Sequence, residues 1–121
     1  MSTIHYISTD ILSLEVVQEI ISHNKTIELS EEATVNIQKC RDYLDKKMES
    51  NETAIYGINT GFGSLCNVKI SNANLSQLQE NLVKSHACGT GEEVPSEIVK
   101  LMLLLKIQSL SYGYSGVQLA T

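Results

Sequence analysis

The 121-residue chain has no tryptophan, one phenylalanine (Phe62), one proline (Pro95) and three cysteines. A single proline leaves no proline-rich linker, and the sequence carries no repeat or low-complexity tract. Cys40, Cys66 and Cys88 are odd in number and widely spaced, which argues against a disulfide framework and for a reducing cytoplasm. No run of five basic residues occurs and the net charge is −5, so nucleic acid and anionic membrane are poor partners. The opening MSTIHYISTD lacks the basic and apolar regions of a secretory leader. The most apolar run, LMLLL at 101–105, is far too short to span a bilayer.

What is present is an ordinary 42% of hydrophobic residues, drawn mainly from Leu, Ile and Val, in a length that permits one domain at most. Ile4 and Tyr6 alternate with polar residues and permit a short strand. Ser13 can cap a helix over LEVVQEIIS that ends near His23 and Asn24. After Ser30, Ala33, Ile37, Cys40, Leu44 and Met48 fall on one helical face, and ESNET breaks the pattern. Residues 54 to about 71 read as loop with a brief extended piece from Val68 to Ile70. A third helix is expected from about Ala73 to about Cys88, capped by Ser71 or Asn72. It carries Leu75, Leu78, Leu82 and His86 on its inner face, with Gly89 in the left-handed terminating position. Pro95 and Ser96 open a fourth helix, SEIVKLMLLLKIQSLS, apolar almost all round and so expected in the middle of a larger helical assembly. The fold class is mainly α with short strand and loop segments.

Most standard motifs fail. The glycines of GINTGFG, at 57, 61 and 63, match neither the dinucleotide fingerprint nor the phosphate loop. His86 and Cys88 lack the regular pairing of a zinc site, so no metal is expected. Asn51-Glu52-Thr53 is a glycosylation sequon by pattern only.

Tyr56 is the residue that stands out, because it heads a loop holding Gly57, Gly61 and Gly63. A tyrosine base needs a site that stabilises its phenolate, since a free phenol titrates near pH ~10. Glycines beside it would let it swing onto a substrate and exclude water. Spacing alone favours the plainer reading, a ring packed against the core beneath a flexible turn. For His86, too, a core histidine bonded to a backbone carbonyl stands ahead of an imidazole facing a polar ligand. Asn59, Gln79 and Asn81 are polar companions with no role fixed by spacing.

Three stretches in order, YGINTGFGSL, LQENLVKSHACGTGE and LKIQSLSYGYSGV, resemble the N-terminal part of the aromatic amino-acid ammonia-lyase and aminomutase family. The resemblance covers nearly the whole chain and is strongest from Ala54 to Val117. It implies that residues 1–121 are the N-terminal helical domain of a longer, multihelical, cytoplasmic homotetramer. It implies elimination of ammonia from an α-amino acid by a methylidene-imidazolone group (MIO), formed autocatalytically from an Ala-Ser-Gly tripeptide. Tyr56 matches the family's catalytic acid/base, on a mobile lid that includes Gly57, Asn59, Gly61 and Gly63. Ser85-His86 matches the histidine-specific branch, in which His86 helps to hold the substrate's imidazole. The implied reaction is conversion of L-histidine to urocanate and ammonia.

Relatives commonly have a basic residue where Tyr112 stands and often another at Gln118. The Ala-Ser-Gly tripeptide does not occur among the 121 residues, so the chain by itself is expected to be inactive. Two alternatives stand beside this reading. One is a tyrosine- or phenylalanine-directed lyase or aminomutase, and the other a non-enzymatic helical module that binds a partner.

Overall fold

The computed structural model describes residues 3–50 and 54–121. The Asn51-Glu52-Thr53 sequon and the middle of the ESNET break lie outside the described residues. The remainder forms two compact units, one from residues 1–49 and 93–121, the other from residues 50–92.

The first unit begins with a β-α-β turn of chain: β1 (Ile4–Ile7), α1 (Leu14–Ser22) and β2 (Thr26–Leu29). The strands pair in parallel, with Ile4 opposite Thr26 and Ile7 opposite Leu29. Ser13 caps α1 by accepting the Val16 N–H. At its other end His23 donates its backbone N–H to the Glu19 carbonyl at 3.1 Å. Asn24 then takes the left-handed conformation, φ 46°, which asparagine tolerates better than most residues. Lys25 returns to pair with Glu19, whose carboxyl it holds below the usual range.

The helix α2 (Glu31–Ser50) starts at Ser30, whose hydroxyl accepts the Ala33 N–H at 3.1 Å. Ala33 and Ile37 are buried and Cys40, Leu44 and Met48 half-buried, the face that the four-and-three spacing specifies. The remaining helix of this unit, α4 (Ser96–Ser111), buries only Leu104, Gln108 and Ser111. Ile7, Ile20 and Leu104 are the centre of the core, surrounded by Leu12, Val16, Val17, Ile21, Ile27 and Leu29. Gln108 reaches from α4 to the carbonyls of Ser8 and Asp10, satisfying the backbone that leaves β1. Ile98, Val99, Met102, Leu103 and Leu105 remain exposed along α4, so its apolar surface is only partly covered, as its pattern leads one to expect.

After α4 the chain lies against α2 through two glycines. A Cβ on Gly113 would come within 2.8 Å of the Asn36 backbone, and one on Gly116 within 2.6 Å of Leu44 Cδ2. Gly113 also has φ 75°, which a side chain would strain. Gly113→Ala therefore destabilises this unit by about 1–3 kcal/mol, read as a shifted midpoint in urea unfolding.

The second unit holds the glycine loop and α3 (Leu75–His86), preceded by a 3-10 turn over Asn72–Asn74. Thr60 forms an isolated antiparallel bridge with Lys69, within the expected extended piece. Leu75, Leu78 and Leu82 are half-buried, but His86 is exposed and not inward-facing. The helix ends at Ala87, whose N–H bonds to the Val83 carbonyl at 2.9 Å. Gly89 does not take the left-handed conformation expected of it, whereas Gly91 does, with φ 91°.

Candidate active site

Every residue singled out for the site lies in the second unit, and the loop is ordered by specific bonds. A turn opens it, in which the N–H groups of Ile58 and Asn59 both donate to the Ile55 carbonyl. The Asn59 side chain closes that turn by accepting the Ile55 N–H at 2.7 Å, and it is 1% exposed. Thr60 and Gly61 are buried too. The middle of the loop is thus a folded base, and Tyr56, 63% exposed, is presented above it.

The three glycines do different work. Gly57 (φ 72°) and Gly63 (φ 56°) occupy conformations that a side chain resists. Gly61 makes room, since a Cβ there would lie 2.6 Å from that of Leu65. Between Gly61 and Gly63 the chain projects Phe62, and this ring organises the site. Its centroid lies 5.5 Å from Tyr56, tilted at 51°, and 5.8 Å from His86, edge to face at 82°. Both distances fall within the range of favourable aromatic pairs. Tyr56 and His86 are therefore gathered around one intervening ring.

His86 is fixed by two contacts at one nitrogen. Its Nδ1 lies 2.8 Å from the Leu82 carbonyl and 3.0 Å from Ser85 Oγ. A carbonyl only accepts, so Nδ1 carries the proton. Ser85 donates to that same carbonyl at 2.9 Å and is left to accept from the ring. In the neutral imidazole Nε2 is then the acceptor. The ring cap alone is a helix-end device, because Ser22-His23 repeats it at the end of α1, with Nδ1 3.0 Å from the Glu19 carbonyl. What sets His86 apart is its contact with Phe62. Gln79 joins helix to loop by donating to the Ile58 carbonyl at 3.1 Å.

Among the described residues no group of three His, Cys, Asp or Glu side chains could hold a metal ion, and all three cysteines are free. Among those residues no helix is long and apolar enough to cross a membrane. The sequence singled out Tyr56 and His86, with their roles implied by the resemblance alone, and passed over Phe62 and the Ser85 contact with the His86 ring. The lone phenylalanine between two glycines was the available signal for the first.

Residues 12–121 match the family model described as aromatic amino acid lyase, and the chain belongs to that family. It is 47% identical over 107 residues to histidine ammonia-lyase of Deinococcus radiodurans, covering 88% of this chain and 20% of that protein. It is 42% identical over 110 residues to histidine ammonia-lyase of Streptococcus gordonii, covering 91% and 21%. Among solved structures, histidine ammonia-lyase from Trypanosoma cruzi superposes with TM-score 0.81 and 33% identity, covering 97% of this chain and 23% of that one. The ergothionase of Treponema denticola gives 0.87 and 25%, over 95% and 23%. The chain spans about a fifth of the length of the curated relatives it matches. Its structure is that of the helical aromatic lyase fold, of which it covers about a fifth to a quarter.

Proposed function

We propose that the protein of which these residues form the N-terminal part eliminates ammonia from L-histidine to give urocanate. Tyr56 serves as the base and His86 as the holder of the substrate ring. The observation that carries this reading is the gathering of the exposed Tyr56 and His86 rings around Phe62. Its support in sequence is identity to histidine ammonia-lyases over most of the chain.

The chemistry follows from the residues. The Tyr56 hydroxyl makes no hydrogen bond to a described residue, so it is free to meet a proton on the substrate's β-carbon. Tyr56, as the phenolate, takes that proton. The C–H electron pair becomes the Cα–Cβ double bond, and the C–N pair leaves with the substrate's ammonium nitrogen as ammonia. The β-proton is weakly acidic, so the transfer needs a positioned base in a closed, dry site. Nε2 of His86 accepts an N–H from the substrate imidazole, a contact that phenylalanine cannot make.

The family's MIO group supplies, when present, a strong electrophile beside the substrate's amino group. The residues present fit the face that such a group would share: an open phenol and an open imidazole acceptor, with no tripeptide that could build it. The electrophile therefore comes from outside these 121 residues, and the exposed apolar face of α4 suits burial in the assembled homotetramer. The setting we infer is cytoplasmic. Assay of the full-length protein with histidine, tyrosine and phenylalanine tests the substrate. Turnover of histidine above the other two is expected, and preference for either of the others overturns the assignment.

A further inference from the structure

We propose that Phe62 is a positioning residue of this reaction. Its ring is a spacer between the base and the imidazole that holds the substrate, and so fixes which length of substrate fits both. The inference rests on the lyase reading for its kinetic part and on geometry alone for the rest. Three neighbours converge on this one ring. Tyr56 leans on it at 5.5 Å and His86 meets it edge to face at 5.8 Å. Gly57, with φ 72°, gives it room, since a Cβ there would lie 3.3 Å from Phe62 Cε1.

The two functional residues come from different elements. Tyr56 opens the glycine loop and His86 closes α3. The Gln79 bond to Ile58 ties the loop's backbone to the helix, and Leu82 and Ser85 hold the His86 ring, but none of these contacts touches the Tyr56 ring. Phe62 is the ring that meets both of the others. The centroids of Tyr56 and His86 can be no further apart than the two ring distances laid end to end. Phe62 is also 41% exposed, so its ring is a surface that a substrate can meet as well as a spacer. An aliphatic side chain of similar volume would fill the space without the directional ring contacts.

The test uses the full-length protein and the amino acid that it deaminates. Phe62→Leu should lower kcat/KM about tenfold, the scale set by removing two aromatic ring pairings. Phe62→Tyr should restore it, because the added hydroxyl can point to solvent. In a His86→Gln background the Phe62→Leu loss should shrink, since one of the two spaced groups is already gone. A readout independent of turnover is the 13Cε1–H resonance of His86, assigned by its loss in His86→Gln. It should shift in Phe62→Leu and hold in Phe62→Tyr. If the protein acts on tyrosine or phenylalanine, histidine as substrate fails while the same variants still test the spacer. Wild-type kcat/KM in Phe62→Leu overturns the proposal, and so does equal loss in the Leu and Tyr variants. If no aromatic amino acid is deaminated, an unmoved His86 resonance in Phe62→Leu overturns it.

Discussion

Tyr56→Phe in the full-length protein lowers kcat by about 10²–10⁴-fold, the span of a lost general acid/base, and leaves KM within a few-fold. The ring itself does the packing: its contact with Phe62 is a contact of ring centroids, which phenylalanine retains. The hydroxyl bonds to no described residue, so its removal breaks nothing in the fold of the loop. Asn59, which closes the turn below, and the Thr60 to Lys69 bridge are untouched. A fall in kcat can then be assigned to chemistry. Steady-state kinetics alongside a thermal melt is the check. An unchanged kcat would remove Tyr56 from the reaction.

His86→Leu lowers kcat/KM for histidine by about 10–10²-fold, the size of a desolvated hydrogen bond whose partner is left unpaired. Turnover of phenylalanine, measured in parallel, should hold or rise. The sense of the contact makes this specific. With Nδ1 committed to the Leu82 carbonyl, the neutral ring offers only an acceptor, so a ligand gains by bringing an N–H or O–H donor. Leucine offers nothing to such a donor. Equal losses on both amino acids would reduce His86 to the helix-end role that His23 plays in α1.

The regular elements were legible where local chemistry decides them. Ser13 starts α1 and Pro95-Ser96 starts α4 because capping and proline geometry act within a few residues. The buried face of α2 followed from its period. Features set by distant partners were not legible. The four residues of β2 (Thr26–Leu29) alternate polar and apolar, but so short a run was passed over, and its parallel partner β1 lies across an intervening helix. Gly89 was expected to end α3, but Ala87 already closes the last turn through Val83. His86 continues the leucine stripe in period yet is exposed, because the loop supplies Phe62 as its neighbour where a core would have enclosed it. The same pairing explains why Phe62 escaped notice: its partners lie in different elements and no periodicity joins them. Gly57, Gly61 and Gly63 suggested freedom of motion, whereas two of them hold left-handed turns and Gly61 admits Leu65.

Whether this chain supplies the base and the imidazole acceptor of a histidine-directed ammonia-lyase is decided by turnover of histidine itself. The purified full-length protein is incubated with L-histidine and urocanate is followed by ultraviolet absorbance, with ammonia measured in the same sample. The absorbance should rise, ammonia should appear one for one, and Tyr56→Phe should nearly abolish both. A flat trace with histidine, from a folded full-length protein that deaminates another aromatic amino acid, would contradict that role.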